Sequence, residues 1–310
     1  MKNSILILIE CFFLFLLTSC SHFEHVVDIE LPGKPPQLVV ECLFKPDQPF
    51  HFFIFKSINI VSVKRSVALI NAQVVLYEDN IEVEKFGFNE QQNGYYSTVK
   101  PQPLKKYKVV VNAPGFDEVT AESFIPEKVK IKEATAQYSF RGATGFLSPA
   151  NSISGTFQVK FDDLPTDENR FYAFTVEHMD FFKNPTLSPY YLFVYGLQSD
   201  YYPMETGQDV VLVTNSLFKQ KPFTARLDFL YGAVWVNDVD ISSDYLKSFY
   251  KIHLLSVSQD YYEYFRKLDD HLKNQTADFF SSGNPVGVYS NIQNGYGIFA
   301  GYNEDIVEIK

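Results

Sequence analysis

Cysteine is scarce in this sequence, with three residues in 310. That excludes a disulfide-stapled scaffold, which needs several pairs in a short chain. Basic runs are missing as well. No stretch of Lys and Arg exceeds two residues, and the formal net charge is −10. Such a chain repels phosphate backbones, so nucleic-acid binding is set aside. No apolar run reaches the roughly 20 residues that a spanning helix needs. There is no G-x-S-x-G elbow, no H-E-x-x-H, no P-loop and no dinucleotide fingerprint. The case for an enzyme is therefore thin.

One shorter apolar run is present. It reads Ile5–Ile9, Glu10, then Cys11–Leu17, behind Lys2. An apolar stretch of about 13 residues with a carboxylate inside it suits a removed signal peptide better than a span. It ends in Leu17-Thr18-Ser19-Cys20. This resembles the bacterial lipobox: a branched aliphatic, two small residues, then cysteine. The resemblance implies cleavage after Ser19 and acylation of the Cys20 thiol. Residues 1–19 are then the signal peptide, and residues 20–36 a lipidated tether containing Pro and Gly. The covalent lipid on Cys20 is the only cofactor expected. With Cys20 acylated no intramolecular disulfide can form. Cys42, alone in QLVVECLF, reads as a small buried hydrophobe in a strand.

What the chain does have is aromatic and β-branched residues. Phe and Tyr number 30 and 20, and 46% of residues are apolar. Short runs of them recur between Pro, Gly, Asn and Asp: Gln37–Phe44, Phe50–Ile60, Ala72–Glu78, Glu82–Phe88, Gly94–Val99, Tyr107–Ala113 and Glu118–Phe124. Period-2 alternation is clearest in YKVVV and VTAESF. Seven strands with little helical periodicity predict a β-sandwich over residues 37–126. Asn93-Gly94 and Pro114-Gly115 read as turns, with glycine supplying positive φ.

Ile125-Pro126 reads as a boundary. Beyond it, residues 127–310 are again β-rich. Strands are expected at Val129–Lys132, Ser154–Phe161, Arg170–His178, Tyr190–Gly196, Asp209–Val213, Phe223–Tyr231 and Phe249–Val257. The tail adds Val286–Tyr289, Gly297–Phe299 and Ile306–Ile309. One amphipathic helix is predicted near 258–273. Ser258 is its N-cap, Asp260 suits its N-terminus, and Tyr261, Phe265, Leu268 and Leu272 form its apolar stripe.

NGYY, YKVVVNAPG and AESFIP occur in the order seen in transthyretin-like or carboxypeptidase-regulatory-like sandwiches, which the first domain resembles. The whole chain is similar to a larger group. The lipobox, VVDIELP-x₅-LVVEC, the NGYY…APG…IP sandwich, VKFDDLPTDENRFYAF and SNIQNGYGIFAGYN resemble, in that order, the domain of unknown function 4249 family. The resemblance implies a Bacteroidota cell-envelope lipoprotein, commonly encoded beside a TonB-dependent outer-membrane receptor. It supplies no catalytic residues.

Residues that carry chemistry are few. His22-x-x-His25 sits in the tether. His178 and Asp180 form a pair at a strand end, and a zinc site needs more ligands than these. His271 reads as part of a solvated helix face. Asp162, Asp163, Asp167 and Glu168 crowd one loop, but without the spacing of a calcium loop. That loop reads as a solvated hairpin. The best contact candidate is PYYLFVYGLQSDYYPME, where Tyr190, Tyr191, Tyr201 and Tyr202 flank a turn, as in adaptable recognition loops. Core packing of the same rings is the competing reading.

The expectation is a non-enzymatic lipoprotein, all-β, anchored at the outer membrane. It would serve a TonB-dependent receptor in nutrient uptake. The cell surface is the favoured location and the periplasmic face the other. A surface adhesin or glycan-binding module is the first alternative, and an envelope hydrolase the second.

Overall fold

The computed structural model describes residues 35–58, 67–141, 152–179, 191–196, 205–207, 210–232, 249–275 and 286–309. Alternation in the sequence decides which face of each strand is buried. In β1 (Leu38–Phe44), Leu38, Val40, Cys42 and Phe44 are buried and the residues between them are not. β2 (His51–Lys56) and β3 (Gln73–Glu78) follow, then β4 (Ile81–Gly87) and β5 (Tyr95–Tyr96). β6 (Lys106–Asn112) and β7 (Val119–Phe124) complete the seven expected strands. Asp79 and Asn80 join β3 to β4 with φ of 48° and 68°. Two positive φ values in a two-residue loop match the twist of a hairpin.

One turn works differently from its expected form. The left-handed residue of the Asn93-Gly94 pair is Asn93, with φ 51°. Gly94 is required for space instead: a Cβ there would lie 2.8 Å from both His51 Nε2 and the Tyr96 ring. Gly115 does carry positive φ, at 82°.

The second half supplies β8 (Ile131–Arg141), β9 (Ser152–Asp162), β10 (Phe171–Met179), β11 (Tyr191–Gly196) and β12 (Glu205–Gly207). β13 (Val210–Thr214), β14 (Pro222–Gly232), β15 (Phe249–Val257) and β16 (Tyr296–Ile309) follow. Among the described residues there is one α-helix, α1 (Gln259–Gln275). Ser258 caps it, its Oγ accepting from Tyr261 N at 3.3 Å. The short β12 has no counterpart among the expected strands. Val286–Tyr289 is irregular rather than strand. Among the described residues it has no strand neighbour; His271 Nδ1 meets Val286 O at 2.6 Å, and Tyr289 Oη donates to Asp260.

The strands form three sheets. One has eight strands in the order β12-β13-β10-β15-β16-β1-β2-β5, and the four-stranded sheets run β11-β14-β9-β8 and β4-β3-β6-β7. Both small sheets pack on the same face of the large one. β4-β3-β6-β7 closes a core with β1, β2 and β5 around Val40, Phe50, Val74, Tyr107 and Val109. β11-β14-β9-β8 closes another with β10, β13 and β15 around Phe157, Phe161, Tyr172 and Ile252. On the opposite face, Tyr261 and Tyr262 of α1 pack on Ala173, Leu255, Ile298 and Ala300. The architecture is thus all-β and sandwich-like, as expected.

β16 unites the halves. It pairs in parallel with β1 and antiparallel with β15. Phe299 is fully buried in the first sandwich core. The expected boundary at 126/127 marks where the chain leaves β7 for β8, yet the large sheet continues across both halves. Residues 36–310 form one unit.

The two short strands expected in the tail are one strand of 14 residues. The residues left between them, Ala300 to Asp305, are strand too, and they serve the crossing of the β7–β8 link. A Cβ on Gly301 would overlap the Phe124 carbonyl. Asn303 Nδ2 donates to Pro126 O at 3.2 Å.

Candidate interaction surface

Cys20, Tyr190, Tyr201 and Tyr202 lie outside the described residues, as do His22, His25 and Asp180. Tyr191 opens β11, an edge strand, opposite Gly232. The acidic loop is solvated at Asp167 and Glu168, as expected, but not at Asp163, and it joins strands of two different sheets rather than forming a hairpin. Asp163 is 5% exposed. Its carboxylate accepts from Tyr172 Oη, from Asn215 Nδ2 at 2.9 Å and from Gln220 N at 2.8 Å. Burial, then this hydrogen bond, pushes the Tyr172 phenol far up. Asp162 instead pairs with Lys132 at the surface. Sequence spacing could not distinguish the two neighbours, but strand parity does: Phe161 and Asp163 point inward while Lys160 and Asp162 do not.

His253, which carries no signal in the sequence, sits in a charged cluster on the α1 face. Its ring lies 3.4 Å from Glu304 and 3.5 Å from Glu177. Lys45 reaches Glu304 from β1's end. Burial pushes the Glu304 carboxyl up, but the Lys45 hydrogen bond and charge, with His253, outweigh it and leave it below the usual range. The cluster ties β1 to β15 and β16.

The surface that stands out is on β2. Phe50, Phe52 and Ile54 enter the core, and His51, Phe53 and Phe55 point the other way. Phe53 is 47% exposed. The Phe53 and Phe55 rings lie 2° from parallel with centroids 6.4 Å apart. His51 packs on Phe53 at 4.1 Å and stacks on Tyr96, its cross-strand partner in β5, at 4.0 Å. Leu43 on β1 adds a further exposed side chain.

The cause is one of coverage. α1 packs on β16, β12, β10 and β13 of this face. A helix about 10 Å across cannot cover an eight-stranded face roughly 34 Å wide. Among the described residues, the β1-β2-β5 end is not covered by the helix. At the margin lies Glu41, whose carboxyl burial pushes up. Burial also lowers the His51 imidazole, and its Nε2 has no hydrogen-bond partner.

A row of rings offers contact area with a few polar atoms, the chemistry of recognition surfaces. The signal for it was present in the sequence. HFFIFK carries rings on both parities, where a half-exposed strand normally alternates apolar with polar. Strand propensity explained the same letters, and so hid it.

No curated protein matches the chain. A family model matches residues 24–306, nearly its whole length, and by this match the protein belongs to the family described as domain of unknown function (DUF4249).

Proposed function

We propose that this protein is a non-enzymatic lipoprotein of the outer membrane that serves as the accessory partner of a TonB-dependent receptor. Cys20 carries the lipid, and the β2 ring row with the Tyr190–Tyr202 stretch meets the receptor. The observation that carries the reading is the row of His51, Phe53, Phe55 and Tyr96, in which Phe53 is exposed and the other three are half-buried. A membrane protein is the fitting occupant because of where the tether attaches. The tether, residues 20–36, precedes β1, the neighbour of β2. At full extension it spans at most about 60 Å, so the start of β1 stays within that reach of whatever surface holds the lipid.

Cross-linking in native cells, membrane pull-down and mass spectrometry test this. The wild type should recover a TonB-dependent receptor. Phe53→Ser with Phe55→Ser should keep its melting temperature and lose recovery by about 30-fold, the effect of about 2 kcal/mol at a hot spot. Tyr201→Ala with Tyr202→Ala reports on the second stretch. Cys20→Ala should release the chain from membranes or leave its leader uncleaved. Recovery unchanged by the β2 variant refutes the assignment of that face. A second reading, glycan binding, is favoured by the near-parallel Phe53 and Phe55 rings, which a sugar face could cover. Glycan-array binding without receptor recovery would select it.

A further inference from the structure

The seam between the two sandwiches holds a cavity of about 180 Å³. Arg170, which leads into β10, and Ser256, near the end of β15, line it together. Leu104 and Phe124 of the first sandwich form an apolar wall, and Glu127 and Glu168 also line it. Gln259, the first residue of α1, adds the positive end of a helix dipole.

The polar groups here are unusual. Ser256 is 3% exposed, and its Oγ has no hydrogen-bond partner. Arg170 Nε is buried without a partner too. Among the described residues, no carboxylate forms a salt bridge with Arg170. Buried donors are nearly always satisfied in folded proteins. Two unpaired donors, one of them on a permanent cation, lining one cavity are complementary to an anion with two acceptor oxygens.

Volume and charge narrow the class. An apolar cavity near 150 Å³ holds benzene, so this one has room for about one ring or a branched alkyl group beside the anionic head. Glu127 and Glu168 are exposed. Water screens their repulsion, and the single positive charge of Arg170 balances one negative charge on a ligand and no more. We propose that the seam cavity binds a small monocarboxylate with a short apolar body. Arg170 Nε–H and Ser256 Oγ–H donate to its carboxylate, and Phe124 and Leu104 cover the body. The carboxylate could belong to a free acid or to the C-terminus of a peptide. The site is separate from the β2 face, so its test is independent of receptor docking.

The test is calorimetric titration of the purified full-length protein in detergent with phenylacetate. Benzyl alcohol (no charge) and phthalate (two carboxylates) are the comparisons. A pentapeptide ending in Phe, with free or amidated C-terminus, identifies the source: binding by the free form alone of the two peptides, without phenylacetate binding, assigns the carboxylate to a peptide end. Phenylacetate or the free peptide should bind, and both comparisons should be at least tenfold weaker. Ser256→Ala should weaken binding about tenfold, the effect of one hydrogen bond to a charged group. Its melting temperature should not fall, since the hydroxyl it removes has no partner. Arg170→Gln should abolish binding. If that variant fails to fold, Ser256→Ala carries the test alone. The proposal is overturned if neither carboxylate probe binds up to about 10 mM, if benzyl alcohol binds as well as phenylacetate, or if Ser256→Ala binds like the wild type.

Discussion

Phe299→Ala should destabilise the N-terminal sandwich, although the residue lies far beyond the last strand of that half. Phe299 is fully buried, with ring centroids 4.7 Å from Phe44, 5.9 Å from Phe52 and 6.2 Å from Phe50. Truncating a buried Phe removes its transfer free energy and leaves a cavity, together about 3–5 kcal/mol. Little collapse is available here, because β16 is fixed between β1 and β15. Total stability of a domain is about 5–15 kcal/mol, so the loss is a large fraction. In a chain of this size it lowers Tm by roughly 10 °C. Urea unfolding followed by near-UV and far-UV circular dichroism measures it. A companion fragment, residues 36–126 alone, should show no cooperative transition, since β1 would lose its parallel neighbour and the core would lose Phe299 and Ile292. A loss below about 1 kcal/mol, or cooperative unfolding of the fragment, would refute the claim that the C-terminal strand completes the first sandwich.

Asp163→Ala should cost about 3 kcal/mol or more in urea unfolding, because Tyr172 Oη, Asn215 Nδ2 and Gln220 N lose their shared acceptor; a loss within error would mean those donors find other partners. Burial pushes the Cys42 thiol far up, against a weaker opposing hydrogen bond from His51. Iodoacetamide should therefore modify it only as fast as the protein unfolds, and rapid native-state labelling would contradict its burial. Glu41 titrates in the opposite sense to a paired carboxylate: burial raises its folded pKa above the ordinary 4.5. Its favourable contribution is complete below that value and is lost as pH rises through the folded pKa. Glu41→Gln should accordingly raise Tm at neutral pH and leave it unchanged near pH 3; an equal gain at both pH values would exclude titration as the cause.

The strands of the first half were legible in the sequence because each is amphipathic by itself. Alternation in YKVVV or LVVEC states which residues face a core before any partner is known. The helix was legible for the same local reason: a serine cap, an acid in the first turn and a stripe of rings. The family resemblance rested on motif order, which also survives without coordinates. What only the tertiary structure decided is pairing. Alternation gives a strand's inner face, but backbone hydrogen bonds to a neighbour leave no mark on side-chain pattern. So the parallel β1–β16 pair, which carries the large sheet through both halves, was invisible. Ala300 to Asp305 fell outside both strands expected in the tail, although Gly301 and Asn303 are there to let the β7–β8 link pass. The candidate sites divide the same way. Rings on both faces of HFFIFK could be counted, but only the placement of α1 shows which of them stay bare. Arg170 and Ser256 are 86 positions apart, and they meet only because β10 and β15 are neighbours in the folded sheet.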